Sequence, residues 1–315
     1  MAQDKSALRI YVAGHTGMVG SAIYRRLERA GYSVIKPLTR VDLCDQQLVL
    51  KLFSDLKPDW VFLAAARVGG IHANSIFPAQ FIYQNLMIQT NVIHAAYLNG
   101  VKKLLFLGSS CIYPRIVPQP IKEEYLLSGY LEPTNKAYSV AKIAGIVMCQ
   151  SYSKEYGANF ISVMPTNLYG PNDNFDLKNS HVVPALLRKT HEAHEAGADF
   201  VEIWGSGNPR REFLHVDDVA DACLFLMERY DSPEIINIGS GVDISIHDLA
   251  LLIKDIVGFK GGIRFNSDMP DGMPQKLLDV SHISALGWKP RLSLLKGLES
   301  TYQWFLLNRH KLRKS

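Results

Sequence analysis

Short apolar and β-branched runs alternate with longer stretches of helical period through the first half of the chain. Ile10 to Ala13, Ser33 to Ile35, Trp60 to Leu63, Leu104 to Leu107 and Phe160 to Met164 form the runs, and they are apolar at successive positions, as strands covered on both faces are. Between them, Met18 to Ala30, Gln46 to Leu56, Ala79 to Asn99 and Ala137 to Tyr156 read as helices. Gly31 and Gly100 stand where glycine commonly ends a helix. The alternation predicts an α/β fold with a doubly wound parallel sheet.

After Asn167-Leu168-Tyr169-Gly170-Pro171 the alternation breaks, and the polar stretch Asn172 to Ser180 reads as a loop between domains. Beyond it come helical stretches at Val182 to His194, Asp217 to Arg229 and Ile246 to Val257, with short strands at Val201 to Trp204, Ile235 to Ile238 and Ile263 to Phe265. The expectation is a first domain over 1–170, with a returning segment near 206–240, and a smaller α/β cap over 171–315.

Composition narrows the function classes. The 315 residues hold 34 Lys+Arg against 30 Asp+Glu, a net charge of +4, and are 47% hydrophobic and 20% charged, as in ordinary globular proteins. Fifteen Pro and 23 Gly are scattered without repeat, which removes disordered and fibrous classes. The longest apolar run, Val61 to Ala66, is far short of the roughly 18 residues of a membrane span, and Met1 to Arg9 has no apolar segment of the secretory kind. A cytoplasmic protein away from membranes is expected. Cys44, Cys111, Cys149 and Cys223 are far apart with no C-x-x-C, which argues against a disulfide framework or structural zinc. The basic tail (Arg309, His310, Lys311, Arg313, Lys314) is too small and dispersed to imply nucleic acid and reads as solvated.

Chemistry enters just after the first strand. Gly14-His15-Thr16-Gly17-Met18-Val19-Gly20 is a G-x-x-G-x-x-G loop opening into a helix; glycines admit a pyrophosphate, and the helix start supplies N–H groups and a positive dipole end. Cofactor choice is read about 20 residues further on, where an acid binds the ribose of NAD and an arginine accommodates the 2′-phosphate of NADP. Thr39-Arg40 follows the second strand with no acid before it. Arg40 therefore favours NADP over its reading as a solvent-facing loop residue, and Asp42, beside Leu43, is a candidate for the adenine edge.

Tyr138 and Lys142 lie four apart on one helical face. An ammonium close to a phenol favours phenolate and brings tyrosine toward acid/base work. Leu107-Gly108-Ser109-Ser110 ends the preceding strand, where Ser109 can bond a substrate carbonyl. With these residues and the Gly loop, nearly the whole chain resembles the extended short-chain dehydrogenase/reductase superfamily, whose larger domain is a Rossmann sheet that binds NAD(P). Five segments are similar to its GDP-4-keto-sugar epimerase/reductase branch: Gly108 through Cys111 to Pro114, Met164-Pro165-Thr166-Asn167-Leu168 through Pro171, Asn179-Ser180-His181-Val182, Trp204 to Gly207, and Arg211 to Asp218. Pro270-Asp271-Gly272 is a sixth.

The resemblance implies an NADPH-dependent bifunctional enzyme converting GDP-4-keto-6-deoxy-D-mannose to GDP-L-fucose, with a dideoxy or heptose analogue as the alternative substrate. It gives Cys111 the role of base at C3 and then C5, and His181 that of the acid on the opposite ring face. Tyr138 becomes the proton donor to the C4 oxygen, Ser109 its hydrogen-bond partner and Lys142 the holder of the nicotinamide ribose. It adds Leu107 to Ser110, Pro165 to Leu168 and His181 to the cofactor contacts, and Lys189, Trp204, Arg211, Asp271 and nearby Lys276 to the GDP-sugar contacts. A thiol is a base only where positive charge favours thiolate, so a small buried Cys111, a helix-entry His181 and a core Trp204 are the structural alternatives. One departure stands out: Thr16 replaces an arginine that in many relatives also holds the 2′-phosphate, so NADP preference leans on Arg40.

Other signals resolve to structure. His191-Glu192-Ala193-His194 has histidines three apart and no third ligand, so it reads as a solvated helix face and no metal is expected. Asp217 and Asp218 read as helix-start residues acting through capping and the dipole, and Arg188 and Arg210 as surface charges. The two long apolar helices, Ala79 to Asn99 and Ala137 to Tyr156, predict a homodimer.

Overall fold

Successive side chains of a strand point to opposite faces, so Ile10 and Val12 serve one core while Tyr11 and Ala13 serve another, and all four are buried. The computed structural model describes residues 5, 7–177, 179–268 and 271–311; Pro270 of the sixth segment, Arg313 and Lys314 of the tail and Met1 to Asp4 lie outside the described residues. The first half runs β1 (Ile10–Ala13), α1 (Met18–Arg29), β2 (Val34–Ile35), α2 (Gln46–Leu56), β3 (Trp60–Leu63), α3 (Ile71–Ile76), α4 (Pro78–Leu98), β4 (Lys103–Leu107), α5 (Lys136–Tyr156), β5 (Phe160–Pro165) and β6 (Asn167–Tyr169). The second runs α6 (Val182–Glu195), β7 (Phe200–Trp204), β8 (Arg210–His215), α7 (Val216–Arg229), β9 (Ile236–Ile238), β10 (Asp243–Ser245), α8 (Ile246–Val257), β11 (Gly262–Asn266), β12 (Gln275–Lys276), α9 (Ser281–Ala285) and α10 (Leu294–Asn308).

Six parallel strands in the order β2-β1-β3-β4-β5-β9 make the main sheet, with β9 returning from the second half to pair Ile236 against Val163. One face packs on α1 and α7 through Ile23, Leu27, Val219 and Cys223. The other packs on α2, α4 and α5 through Phe53, Val92, Ile93 and Ile146. Arg25 with Asp217 at 2.9 Å and Arg26 with Asp221 at 2.8 Å tie α1 to α7 along the outside. A third core joins α6, α8 and α10 to β7 through Leu187, Ile203, Ile253, Leu298 and Phe305. Beside it, β8 pairs with β6, β10 and β12, and β7 pairs with β11.

Three local expectations change. The second strand is only Val34–Ile35. His191 is not on a solvated face: it is buried against Tyr302 and Phe305, with its Nδ1 3.0 Å from the Tyr302 hydroxyl, because α10 covers that side of α6; His194 is exposed. The α7 cap is His215, whose Nδ1 accepts from the Asp217 N–H, and the buried Asp218 carboxylate instead accepts from the backbone N–H groups of Arg291 and Leu292. Among the described residues no group of three or more His, Cys, Asp and Glu is placed to hold a metal ion, and no helix is long and apolar enough to cross a membrane.

Candidate active site

Parallel strands end on the same side, so the loops after β1, β3, β4 and β5 share one edge. At the first, the Gly17 N–H donates to the Gly14 carbonyl at 3.0 Å, and α1 begins with no side-chain cap and no acid in its first turn. A Cβ at Gly20 would stand 2.1 Å from the Gly14 oxygen, so the turn closes only around glycine. Among the described residues the result is a tight turn into an uncapped helix start, where N–H groups and the positive dipole end can hold an anion. His15 is half-buried beside it, Thr16 is exposed, and Met18 and Val19 lean on the core.

Further along that edge, Arg40 is exposed on the connection between β2 and α2. The Asp42 Oδ1 accepts from the Cys44 N–H at 2.9 Å, and Asn91 Nδ2 of α4 donates to the carbonyls of Leu43 and Cys44 at 3.0 and 3.1 Å. This connection is therefore fixed to α4, while the Arg40 guanidinium is exposed and has no ion-pair partner among the described residues.

The catalytic candidates meet beyond β4. Gly108 N–H donates to the Val163 carbonyl at 2.8 Å, and Ser109 caps the one-turn helix Ser110–Ile112 by accepting from the Cys111 N–H at 3.2 Å. Ser139 Oγ donates to the Cys111 carbonyl at 2.8 Å, which locks this turn to the start of α5. Ser109 hydrogen-bonds Tyr138, and Cys111 lies close enough to act on the phenol electrostatically. Burial, with Cys111 second, pushes the Tyr138 pKa up, although part of the ring opens to the cleft. Lys142 is buried, donates to the Leu107 carbonyl at 2.7 Å, and is brought down to about 7 by desolvation. The expected bias toward phenolate is thus absent from the protein alone: desolvation outweighs an ammonium aimed at the strand end rather than at the phenol.

Lys276 approaches from the other lobe. It pairs in register with Arg211, so both side chains leave β12 and β8 on the cleft side, and Lys276 Nζ donates to Cys111 Sγ across 3.5 Å. His181 stands at the entry of α6, open to the cleft but enclosed by protein mass; burial lowers its pKa, with the Lys276 charge second. The Arg211 pKa is lowered by burial, against the opposing pull of Asp271 and Cys111. Asp271 accepts from the Ser206 N–H and Oγ at 2.9 and 2.6 Å. Further out, Trp204 is 53% exposed and Lys189 lies 5.1 Å from the centre of its ring.

A family model of the NAD dependent epimerase/dehydratase family matches residues 10–239, from the first residue of β1 to just past β9. The chain belongs to that family. Among its relatives, GDP-L-fucose synthase 1 of Arabidopsis thaliana is 58% identical over 307 residues, 97% of this chain and 95% of that one. The solved structure of a GDP-L-fucose synthetase from Naegleria fowleri bound to NADP superposes with a TM-score of 0.91 at 29% identity, covering 98% of this chain and 97% of that one. A GDP-6-OMe-4-keto-L-xylo-heptose reductase from C. jejuni gives a TM-score of 0.90 at 41% identity over 96% and 98% of the two chains.

Within this epimerase/dehydratase chain, the sequence reading missed Glu212. Strand alternation sends Arg211 to the cleft and Glu212 into the interior, where its carboxylate is fully buried. It accepts from the N–H groups of Gly241 at 2.7 Å and Leu278 at 3.0 Å, so it binds the turn after β9 and the end of β12 to β8. Its backbone carbonyl accepts from Asn167 Nδ2 at 2.8 Å and Thr166 Oγ1 at 3.3 Å, joining the loop after β5 to the same strand. Pro165 closes β5, the Thr166 N–H donates to the Ile238 carbonyl at 2.9 Å, and Leu168 lies on β6. The signal available was an acid inside the run Arg210 to His215, a strand otherwise buried over its last four residues.

Proposed function

We propose that this protein is an NADPH-dependent bifunctional epimerase and reductase that converts GDP-4-keto-6-deoxy-D-mannose to GDP-L-fucose, by epimerisation at C3 and C5 and then hydride reduction at C4. The observation that carries this reading is the meeting of a thiol and a phenol, Cys111 and Tyr138, over one strand end, with Lys276 on the sulfur. A plain reductase needs one proton donor beside a hydride source; a second acid/base set is what epimerisation requires.

The 4-ketone acidifies the protons at both C3 and C5, so a single base can serve both carbons. Cys111 takes each proton and His181 returns one from the opposite face of the ring. Tyr138 then gives its proton to the C4 oxygen, which Ser109 also bonds. Its raised pKa suits this task, because the phenol keeps its proton at neutral pH until the oxygen gains charge. NADPH, when bound, supplies the hydride. The uncapped start of α1 would hold its pyrophosphate, Arg40 its 2′-phosphate and Lys142 its nicotinamide ribose. Arg211 suits the diphosphate of the sugar nucleotide and the open Trp204 face its base, with Lys189 and Asp271 at the rim. Consumption of NADPH that depends on GDP-4-keto-6-deoxy-D-mannose, with GDP-L-fucose identified as product by chromatography, tests this reading.

A GDP-4-keto-heptose or dideoxy sugar is the second reading, favoured by the 41% identity to the heptose reductase. A larger kcat/KM for either alternative than for the 6-deoxy sugar decides for it. The exposed apolar residues Tyr83, Leu98, Val147 and Tyr156 on α4 and α5 support a homodimer through these helices; sedimentation at only the 35.2 kDa chain mass contradicts it. Four free cysteines suit a reducing, cytoplasmic setting.

A further inference from the structure

The Lys276 ammonium is nearly enclosed, with 7% of the residue exposed, and its hydrogen-bond partner is the Cys111 sulfur at 3.5 Å. Among the described residues no carboxylate is paired with it. An ammonium withdrawn from water in exchange for a neutral thiol, a weak acceptor, is poorly compensated. The same contact becomes a charge-assisted pair when the sulfur is negative. The remaining groups that face Cys111 do not supply an equivalent cation. Tyr138 and Ser109 are neutral, and any charge on His181 leaves with the proton it gives up in the step. Arg211 also acts on the sulfur electrostatically, but its guanidinium donates to its neighbour's carbonyl at 2.8 Å and shares its charge with Asp271, whereas Lys276 hydrogen-bonds the sulfur itself.

We infer that Lys276 is the charge partner that holds the Cys111 sulfur ready to take a proton, which makes it a positioning residue for epimerisation rather than a contact for the GDP diphosphate. This rests on the reading of Cys111 as the base. In each step the C–H bond at C3 or C5 breaks, its electron pair passes into an enolate spread onto the C4 oxygen, and an S–H bond forms opposite Lys276. His181 then gives a proton to the other face of the carbon. The sulfur loses its proton and the imidazole regains one by exchange with water through the cleft, so no oxidation occurs. Lys276 is fixed for this role before substrate arrives. The Leu278 N–H is bound by the buried Glu212 carboxylate, the Leu277 N–H donates to Gln119 Oε1 at 2.8 Å, and Lys276 stands in register with Arg211.

The test reads Cys111 itself, without substrate. Iodoacetamide labelling of the whole enzyme is followed across pH by peptide mass mapping at Cys111, in the parent, Lys276→Met and Lys276→Arg. Labelling near neutral pH is expected to slow about tenfold in Lys276→Met, with its rate profile displaced to higher pH, and to stay within about threefold of the parent in Lys276→Arg. With GDP-4-keto-6-deoxy-D-mannose in D₂O, Lys276→Met should lose kcat for deuterium entry at C3 and C5 by a similar factor while KM stays within about twofold. An unchanged Cys111 labelling profile in Lys276→Met, with a raised KM as the main effect, overturns the inference in favour of a diphosphate contact. If Lys276→Met does not fold by circular dichroism, Lys276→Gln is read in the same way. Absence of deuterium entry in the parent refutes Cys111 as base but leaves the labelling comparison to decide the charge pairing.

Discussion

The Lys142 ammonium lies 6.0 Å from the centre of the Tyr138 ring and 4.8 Å from that of Phe106, and its hydrogen bond goes to the Leu107 carbonyl. The pair therefore divides its labour: a protonated phenol faces the cleft, while a desolvated ammonium braces the strand end. Tyr138→Phe should lower the rate of NADPH oxidation by at least about a hundredfold. Exchange of the C3 and C5 protons with D₂O should persist, because Cys111 and His181 are untouched. NMR of the recovered substrate sugar checks this, and loss of exchange together with reduction would join the two half-reactions to one residue.

Cys111→Ser should do the reverse. Deuterium entry at C3 and C5 is expected to fall by at least about a hundredfold, since a hydroxyl is a far weaker base than a thiolate. NADP binding, read by fluorescence titration, should be unchanged, because the Gly loop and Arg40 lie at other loops of the sheet edge.

Arg40 is exposed on the connection between β2 and α2, where the proposal puts the 2′-phosphate, and Thr16 brings no charge to help it. Arg40→Ala should bring the ratio of kcat/KM for NADPH over NADH close to unity from a clear preference in the parent. An unchanged ratio assigns the selection elsewhere.

Asp173 is 8% exposed, with one carboxylate oxygen bound to the Asn174 N–H at 2.7 Å and the other without a hydrogen-bond partner among the described residues. Desolvation, only partly offset by that bond, raises its pKa to about 7. Between the unfolded value of about 4 and about 7, the folded chain thus keeps a proton that the unfolded chain has lost. Stability must fall as pH rises through this window, by at most about 1.4 kcal/mol per pH unit from this group. Urea unfolding across the window should show a shallower decline in Asp173→Asn than in the parent; equal slopes would mean that Asp173 titrates normally.

Strands β1, β3, β4 and β5 were legible because burial on both faces writes an unbroken apolar run, and the Gly loop and Ser109, Tyr138 and Lys142 were legible because each stands at a fixed offset from such a run. The strands around β8 were not. β6, β10 and β12 have two or three residues each, and their polar members, such as Asn167 and Lys276, answer to neighbours far along the chain. Helix α10 has no counterpart in the sequence reading, and it carries Gly297 on its packed face. In the fold it admits the Tyr169 hydroxyl, 2.1 Å from where a Cβ would stand. The contact between Lys276 and Cys111 spans 165 positions, so no local spacing announces it.

The most direct test of the account is one incubation of the enzyme with NADPH and GDP-4-keto-6-deoxy-D-mannose in D₂O, followed by NMR of the product sugar. Deuterium at both C3 and C5 of a C4-reduced L-configured sugar is the predicted result. A reduced product without deuterium at C3 and C5 would contradict it, leaving a 4-reductase in which Cys111, His181 and Lys276 have no part in epimerisation.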